Sequence, residues 1–236
     1  STHPALATAV QTFLARDADV ATETGDTPAF HRALVLHCAS RGGPGADALL
    51  ARGAAWAGSV EEVAASCVLA FTCLPGDGPL EEVAARFAAG AAKAAKNNAA
   101  SAPSPRVLVC LGPTSPASLA AVKAACAKAG VDLVAAHAAG PPAAAARRGI
   151  ILHLAGPEGP RAAVAGILDG ACRTVLPLGD DPAAVTALAA AALTARLGAL
   201  EAVAEAMALA EAAGVPDARA HVARLVADDL GAHPHS

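Results

Sequence analysis

Large side chains are what this sequence most lacks. It has no tyrosine, one tryptophan (Trp56), one methionine (Met207) and four phenylalanines, so aromatics make up 2% of its 236 residues. A core built without such anchors must come from close approach of small-residue helices, because each alanine removes little area from water. Lysine is scarce as well, with none after Lys128, and the formal net charge is −4. With no basic patch interleaved with aromatics, a nucleic-acid partner is not expected. No CxxC pair occurs among Cys38, Cys67, Cys73, Cys110, Cys126 and Cys172. That spacing offers no zinc or redox motif and reads as small buried thiols in a reducing compartment. GxGxxG, P-loop and nucleophile-elbow patterns are also missing. Outside one alanine tract, no run of 18 apolar residues is free of charge or proline. In that tract regular Glu and Arg read as a soluble helix rather than a membrane span. No basic-then-apolar leader opens the chain, so a soluble, intracellular protein without membrane insertion is expected.

What is there alternates. Apolar runs at Ala33–Cys38, Cys67–Leu74, Arg106–Leu111, Val131–Ala135, Ile150–Ala155 and Arg173–Leu176 read as strands buried on both faces. Between them lie helical stretches: Pro4–Arg16, Ala46–Arg52, a short helix opened by the capping box Ser59 to Glu62, Pro79–Ala95, Ser115–Ala129 and Pro157–Leu168. Strand and helix in turn at this spacing predict βαβ units and a doubly wound, mostly parallel α/β sheet. After it, Asp180 to Ala213 reads as one long alanine-rich helix closed by Gly214, followed by a short helix Ala218–Leu230. The expected organisation is an α/β domain over 1–179, a long helix with a truncated helical appendage over 180–230, and a disordered tail over 231–236.

Few residues stand out chemically. Gly42-Gly43-Pro44-Gly45 is a glycine cluster whose proline removes an amide donor, so it reads as a tight turn before an anion cradle. His37 and His153 sit in apolar strands and are expected as hydrogen-bonded core residues. His137 falls in the alanine-rich loop after the fourth strand, at the carboxyl end of a parallel strand, where open α/β sheets place ligands. His221, His233 and His235 lack a zinc-type neighbourhood, and no metal site is expected. Asp180-Asp181 and the pairs Glu61-Glu62 and Glu81-Glu82 read as helix N-terminal charge.

The order of these segments resembles the β-hydroxyacid dehydrogenases, the family of 3-hydroxyisobutyrate and 6-phosphogluconate dehydrogenases. The pieces are a strand ending near Arg41, then Gly53-Ala54, Ser59 to Glu62, and a strand closing in Leu74-Pro75. Pro116, the strand Gly130 to Val134, the stretch Gly149–Gly156, and Glu205 to Val215 continue the likeness. The resemblance implies a Rossmann-like NAD(P)-binding domain with a long interdomain helix that carries dimer contacts. It places Arg41, Leu74, Pro75 and Thr114 at the cofactor, Arg41 at the 2′-phosphate of NADP.

The departures from the pattern are specific. The family's glycine-rich turn would precede the helix Pro4–Arg16, and only the enzyme alternative below calls for it, upstream of Ser1 or on another chain. Its substrate-binding Ser-Thr falls at Gly112-Pro113, its Ser-Gly-Gly loop at Ala139-Gly140-Pro141, and its catalytic Lys within Leu188 to Leu193, which reads LAAAAL. Alanine neither donates nor accepts a proton. The sequence therefore reads as a non-catalytic structural or interaction protein of this ancestry, with no catalytic residue and no cofactor unless NADP. Its partner would be another protein or a second copy, bound along the long helix 181–213. The alternative is an NAD(P)-dependent oxidoreductase acting on a small β-hydroxyacid.

Overall fold

The computed structural model describes residues 35–36, 50–51, 55–74, 76–97, 106–140, 144–145 and 147–231. The expected helix Pro4–Arg16, the glycine cluster Gly42 to Gly45, His37 and Cys38 lie outside them, as does nearly all of the tail. Strand β1 (Val35–Leu36) pairs in parallel with β2 (Ala55–Trp56), forming a two-stranded sheet of its own. The sequence reading missed β2, which is too short to show a period. Helix α1 (Val60–Ser66) starts where Ser59 accepts a hydrogen bond from the Glu62 amide at 3.1 Å. The Glu62 carboxylate reaches back to the Gly58 amide at 2.7 Å, one residue before the usual capping-box partner.

A five-stranded sheet follows in the order β3 (Leu69–Cys73), β4 (Arg106–Leu111), β5 (Val131–Ala139), β6 (Ile151–Ala155) and β7 (Thr174–Pro177). The joining helices are α2 (Asp77–Asn97), α3 (Pro116–Lys128) and α4 (Glu158–Leu168). Strands β3, β4 and β5 are parallel, β6 is antiparallel to β5, and β7 is parallel to β6. The fold is thus α/β and mostly parallel, with one reversal. The reversal also explains where the helices go. Parallel crossovers are right-handed, so reversing strand direction while stepping the same way across the sheet moves the helix to the other face. One core cluster accordingly joins α1, α2 and α3 to Ala70, Leu108, Cys110, Leu133 and Ala135. The other joins Val164 of α4 to Val107, Val109, Val134, Leu152 and Leu154.

Small residues do what the composition predicts on the first of these faces. Helix α2 buries Leu80, Ala84, Phe87, Ala88, Gly90 and Ala91. At Gly90 a Cβ would stand 2.8 Å from the Glu61 Cα, so glycine is what lets α1 and α2 touch. Arg86 clamps the same contact with two hydrogen bonds to Glu61, 2.8 and 3.0 Å.

Helix α5 (Ala183–Ala212) is one unbroken rod of 30 residues, about 45 Å at 1.5 Å per residue. The chain forms two compact units, Ser1–Ala187 and Leu188–Ser236, divided within α5. In the second unit, Val215 N–H bonds the Ala210 carbonyl and Gly214 N–H that of Glu211, closing α5 as a Schellman motif. Helix α6 (Ala218–Gly231) then follows, with Arg219 paired to Glu211 at 2.7 Å. Leu193, Leu197, Leu200 and Leu209 of α5 are exposed. Among the described residues α5 is the one helix long and apolar enough to cross a membrane by length and composition, with mean hydropathy 1.6 in its most apolar stretch. Arg196, Glu201, Glu205 and Glu211 punctuate it.

Candidate active site

The carboxyl ends of β3, β4 and β5 share one edge of the sheet, where parallel α/β folds hold ligands. Leu74 leaves β3 there and Gly112 leaves β4. Gly112 has φ +154°, and a Cβ on it would stand 2.9 Å from the Leu74 carbonyl oxygen. The two strand ends can meet this closely because that position carries no side chain. Thr114 donates its hydroxyl to the Gly112 carbonyl at 3.4 Å. One residue on, Ser115 caps α3 by accepting from the Ser118 amide at 3.2 Å. Its own N–H donates to Asp77 Oδ1 at 2.9 Å, tying this loop to the start of α2. Hydrogen bonding from Ser115, through its side chain and then its backbone, holds the Asp77 carboxyl below its ordinary pKa.

Beside Gly112, on the next strand, stands His137. Leu111 is opposite Ala136 in the β4–β5 register, and His137 is opposite His153 in the β5–β6 register. Alternation along the strands puts both imidazoles on the sheet face shared with Leu133 and Ala135. Their ring centroids are 6.3 Å apart with planes 27° from parallel. Both are half-buried, and Leu176, opposite His153 on β7, is exposed. Burial, and then the charge of His153, push the His137 pKa down from 6.5. His153 Nδ1 is buried with no hydrogen-bond partner.

Two sequence expectations are corrected here. His137 lies in β5, which runs four residues past Ala135 because β6 pairs with it, and not in a loop. His153 is not a satisfied core histidine: its ring faces another imidazole and leaves one nitrogen unbonded.

Of the residues nominated for a cofactor, Leu74 and Thr114 come together at this edge, while Arg41 and Pro75 lie outside the described residues. The sequence reading placed Gly112 where the family has its substrate-binding Ser-Thr and His137 at a ligand-bearing strand end, but it did not join His137 to His153. Asp180 and Asp181 do accept hydrogen bonds near the start of α5. Asp180 takes one from Arg161 at 2.9 Å, and Asp181 takes the Ala183 amide at 3.2 Å.

The edge suits proton transfer better than nucleophilic or metal chemistry. Burial pushes the Cys110 thiol up to about 11 and that of Cys126 up to about 12, leaving both as unreactive thiols. Among the described residues no three His, Cys, Asp or Glu side chains gather around one point. Two near-parallel rings 6.3 Å apart also do not converge on one ion at the roughly 2 Å that zinc requires.

A nicotinamide cofactor finds only part of a site here. Leu74, Gly112 and Thr114 make a short lip of the kind a flat ring can approach. The start of α2 carries the Asp77 carboxylate, which disfavours a phosphate at that helix terminus. The described residues contain no glycine-rich cradle for a pyrophosphate.

Neither a protein-family profile nor a curated protein sequence matches the chain. Solved structures do. The 3-hydroxyisobutyrate dehydrogenase of Mycobacterium tuberculosis, bound to L-serine, is 20% identical with a TM-score of 0.62, covering 72% of this chain and 55% of its own. An imine reductase variant from Myxococcus stipitatus, in complex with NAD+, is 19% identical with a TM-score of 0.68, covering 97% and 69%. The imine reductase of Aspergillus terreus, bound to NADPH4 and a dibenzazepine, is 19% identical with a TM-score of 0.65, covering 95% and 70%. At these identities the likeness is one of fold. It includes the dehydrogenase type that the sequence resembles, and the chain spans little more than half of the tuberculosis enzyme.

Proposed function

We propose that this chain is the α/β part of an NAD(P)-dependent oxidoreductase that reduces a small C=N substrate. The observation that carries the reading is the composition of the carboxyl edge. Leu74, Gly112, His137 and His153 stand in a row there, within a fold shared with dehydrogenases and imine reductases. A β-hydroxyacid brings a carboxylate, which needs cations or several donors around it. Among the described residues this row offers no Lys or Arg, and the Thr114 hydroxyl is already donated to Gly112. An imine carries no such charge. Reduced nicotinamide supplies the hydride, and this chain's edge residues orient the substrate and exclude water from it. The phosphates must be held by residues outside those described, Arg41 being the nominated cation for a 2′-phosphate. Titration of the full chain with NADPH by fluorescence, followed by NADPH oxidation with a dibenzazepine imine and, separately, NADP+ reduction with 3-hydroxyisobutyrate, tests this. Micromolar binding with imine turnover is expected; absence of NADPH binding up to millimolar concentration would sink the reading.

One observation favours the second reading, a non-catalytic assembly protein. Leu193, Leu197 and Leu200 expose 49%, 55% and 62% of their surface along one face of α5, and a bare apolar stripe invites a second copy. Assembly is compatible with either role. A chain that sediments as a dimer yet binds no NADPH would favour the second reading over the first.

A further inference from the structure

We propose that His137 is the acid–base residue of this site and that His153 positions and tunes it, in the place of the lysine that the long helix lacks. The inference rests on the reductase reading above, and the geometry comes from β5 and β6. His137 is one strand away from Gly112, whose Cβ position is closed by the Leu74 carbonyl oxygen at 2.9 Å, so on this side the imidazole has glycine backbone and no competing side chain beside it. On its other side His153 stacks at 6.3 Å. The rest of the row, Leu74, Gly112 and Leu176, holds no ionisable group, so within the row these two rings are the proton carriers. Neither ring has a hydrogen-bond partner among the described residues, and His153 Nδ1 is buried without one. Two histidines that stabilised a core would be saturated.

Charged groups on the neighbouring elements are otherwise engaged or remote. Asp77 at the start of α2 accepts from Ser115. Arg147 and Arg148 in the β5–β6 connection and Arg173 before β7 are exposed. On α3, Lys123 pairs with Asp181 at 3.7 Å, and Lys128 lies at the far end of the helix. Glu158 and Arg161 belong to α4, which packs on the opposite face. The charge that acts on His137 is therefore that of His153, which makes a proton on His137 easier to give up.

The reaction balances as imine plus NAD(P)H plus one proton giving amine plus NAD(P)+. The imine carbon gains the hydride, the C=N π pair takes a proton from the His137 ring, and the ring regains one from solvent. His137 touches the substrate nitrogen; His153 acts through His137.

His137→Gln and His153→Gln in the full chain test this. With the dibenzazepine imine, His137→Gln is expected to lower kcat by roughly 100-fold or more, the ordinary worth of a positioned general acid. NADPH affinity should stay within about twofold, since uniform binding is untouched. His153→Gln should keep more of the activity and move the ionisation in kcat/KM to higher pH, because the neighbouring charge is gone. A His137→Gln enzyme with full kcat and an unchanged pH profile would overturn the proposal while leaving the reductase reading intact. If the parent chain neither binds NADPH nor turns over, the reductase reading fails first, and imidazole nitrogen NMR then decides the inference. Addition of the imine should perturb the His137 ring and, through it, His153; rings that stay unmoved would overturn it.

Discussion

Helices α2 and α5 are made of nearly the same material and end in opposite situations. Both are long and alanine-rich, 21 and 30 residues. Helix α2 buries six of its residues, whereas α5 buries one, Val185, near its start. Helix α5 is the more apolar of the two, yet α2 is the one that packs, and the difference lies in how the larger apolar groups are spaced. Leu80, Val83, Phe87 and Ala91 recur on one stripe of α2 and meet the sheet, with Gly90 on an adjacent line admitting α1. In α5 Leu193, Leu197 and Leu200 form a stripe too, yet they stay exposed, and Glu and Arg follow around the rest. Alanine content says that a helix forms; it does not say what the helix is for.

The strongest way to break this comparison is Phe87→Ala. Phe87 is 1% exposed and is the largest fully buried side chain of the first core cluster. With so few aromatics elsewhere, no neighbour is large enough to collapse into the space. A loss of about 3–5 kcal/mol is expected in urea unfolding of the full chain. A loss below about 1 kcal/mol would mean that α2 is no more a core helix than α5.

A second measurement sharpens where α2 is held. Hydrogen bonds from Arg86 pull the Glu61 carboxyl down to about 2 from 4.5. A carboxyl whose pKa is lowered on folding contributes stability that is complete above its unfolded value and is lost as pH falls toward the folded one. The contribution therefore disappears between about pH 4.5 and pH 2. Glu61→Gln should flatten this part of the stability–pH curve relative to the parent, with little change in its shape above pH 6. A parallel curve for the two proteins across the acid limb would show that the Arg86 clamp does not hold the helices in solution. Both side chains are partly open to water, so this effect is smaller than that of Phe87.

How much of this could be read from the chain follows from the range of the forces involved. Strand β4 was legible to the residue, because Arg106–Leu111 is a continuous apolar run that stops at Gly112. Ser59 was legible as a cap and Ser115 as the start of a helix, since such signals are settled within three residues. Strand β5 was read four residues short. Ala136 to Ala139 has no β-branched residue to announce a strand, and the pairing that extends it comes from β6, more than ten residues away. Strand β2 was missed for the same reason, being two residues that exist as a strand because β1 lies beside them. At the site, Leu74 and Thr114 could be named because the family resemblance placed them at the cofactor. The histidine pair could not: it depends on an antiparallel register inside a sheet whose βαβ pattern predicts parallel strands.

The smallest effect on folding concerns the exposed stripe. Leu197 is 55% exposed, so Leu197→Arg should change the dilute unfolding free energy by no more than about 0.5 kcal/mol, in contrast to Phe87→Ala. Its consequence belongs to concentration. If a second copy covers Leu193, Leu197 and Leu200, association stabilises the folded chain by mass action, and the parent's Tm rises with protein concentration. An arginine in that seam would be buried opposite its own symmetry mate, a like-charge contact, so the variant should melt at one temperature throughout the concentration series. Sedimentation distinguishes the two cases directly, with the parent sedimenting as a dimer and the variant as a monomer. If parent and variant melt alike at every concentration and both sediment as monomers, the stripe is no contact between copies. The contrast between α2 and α5 would then lie between a packed helix and one that stands alone in water.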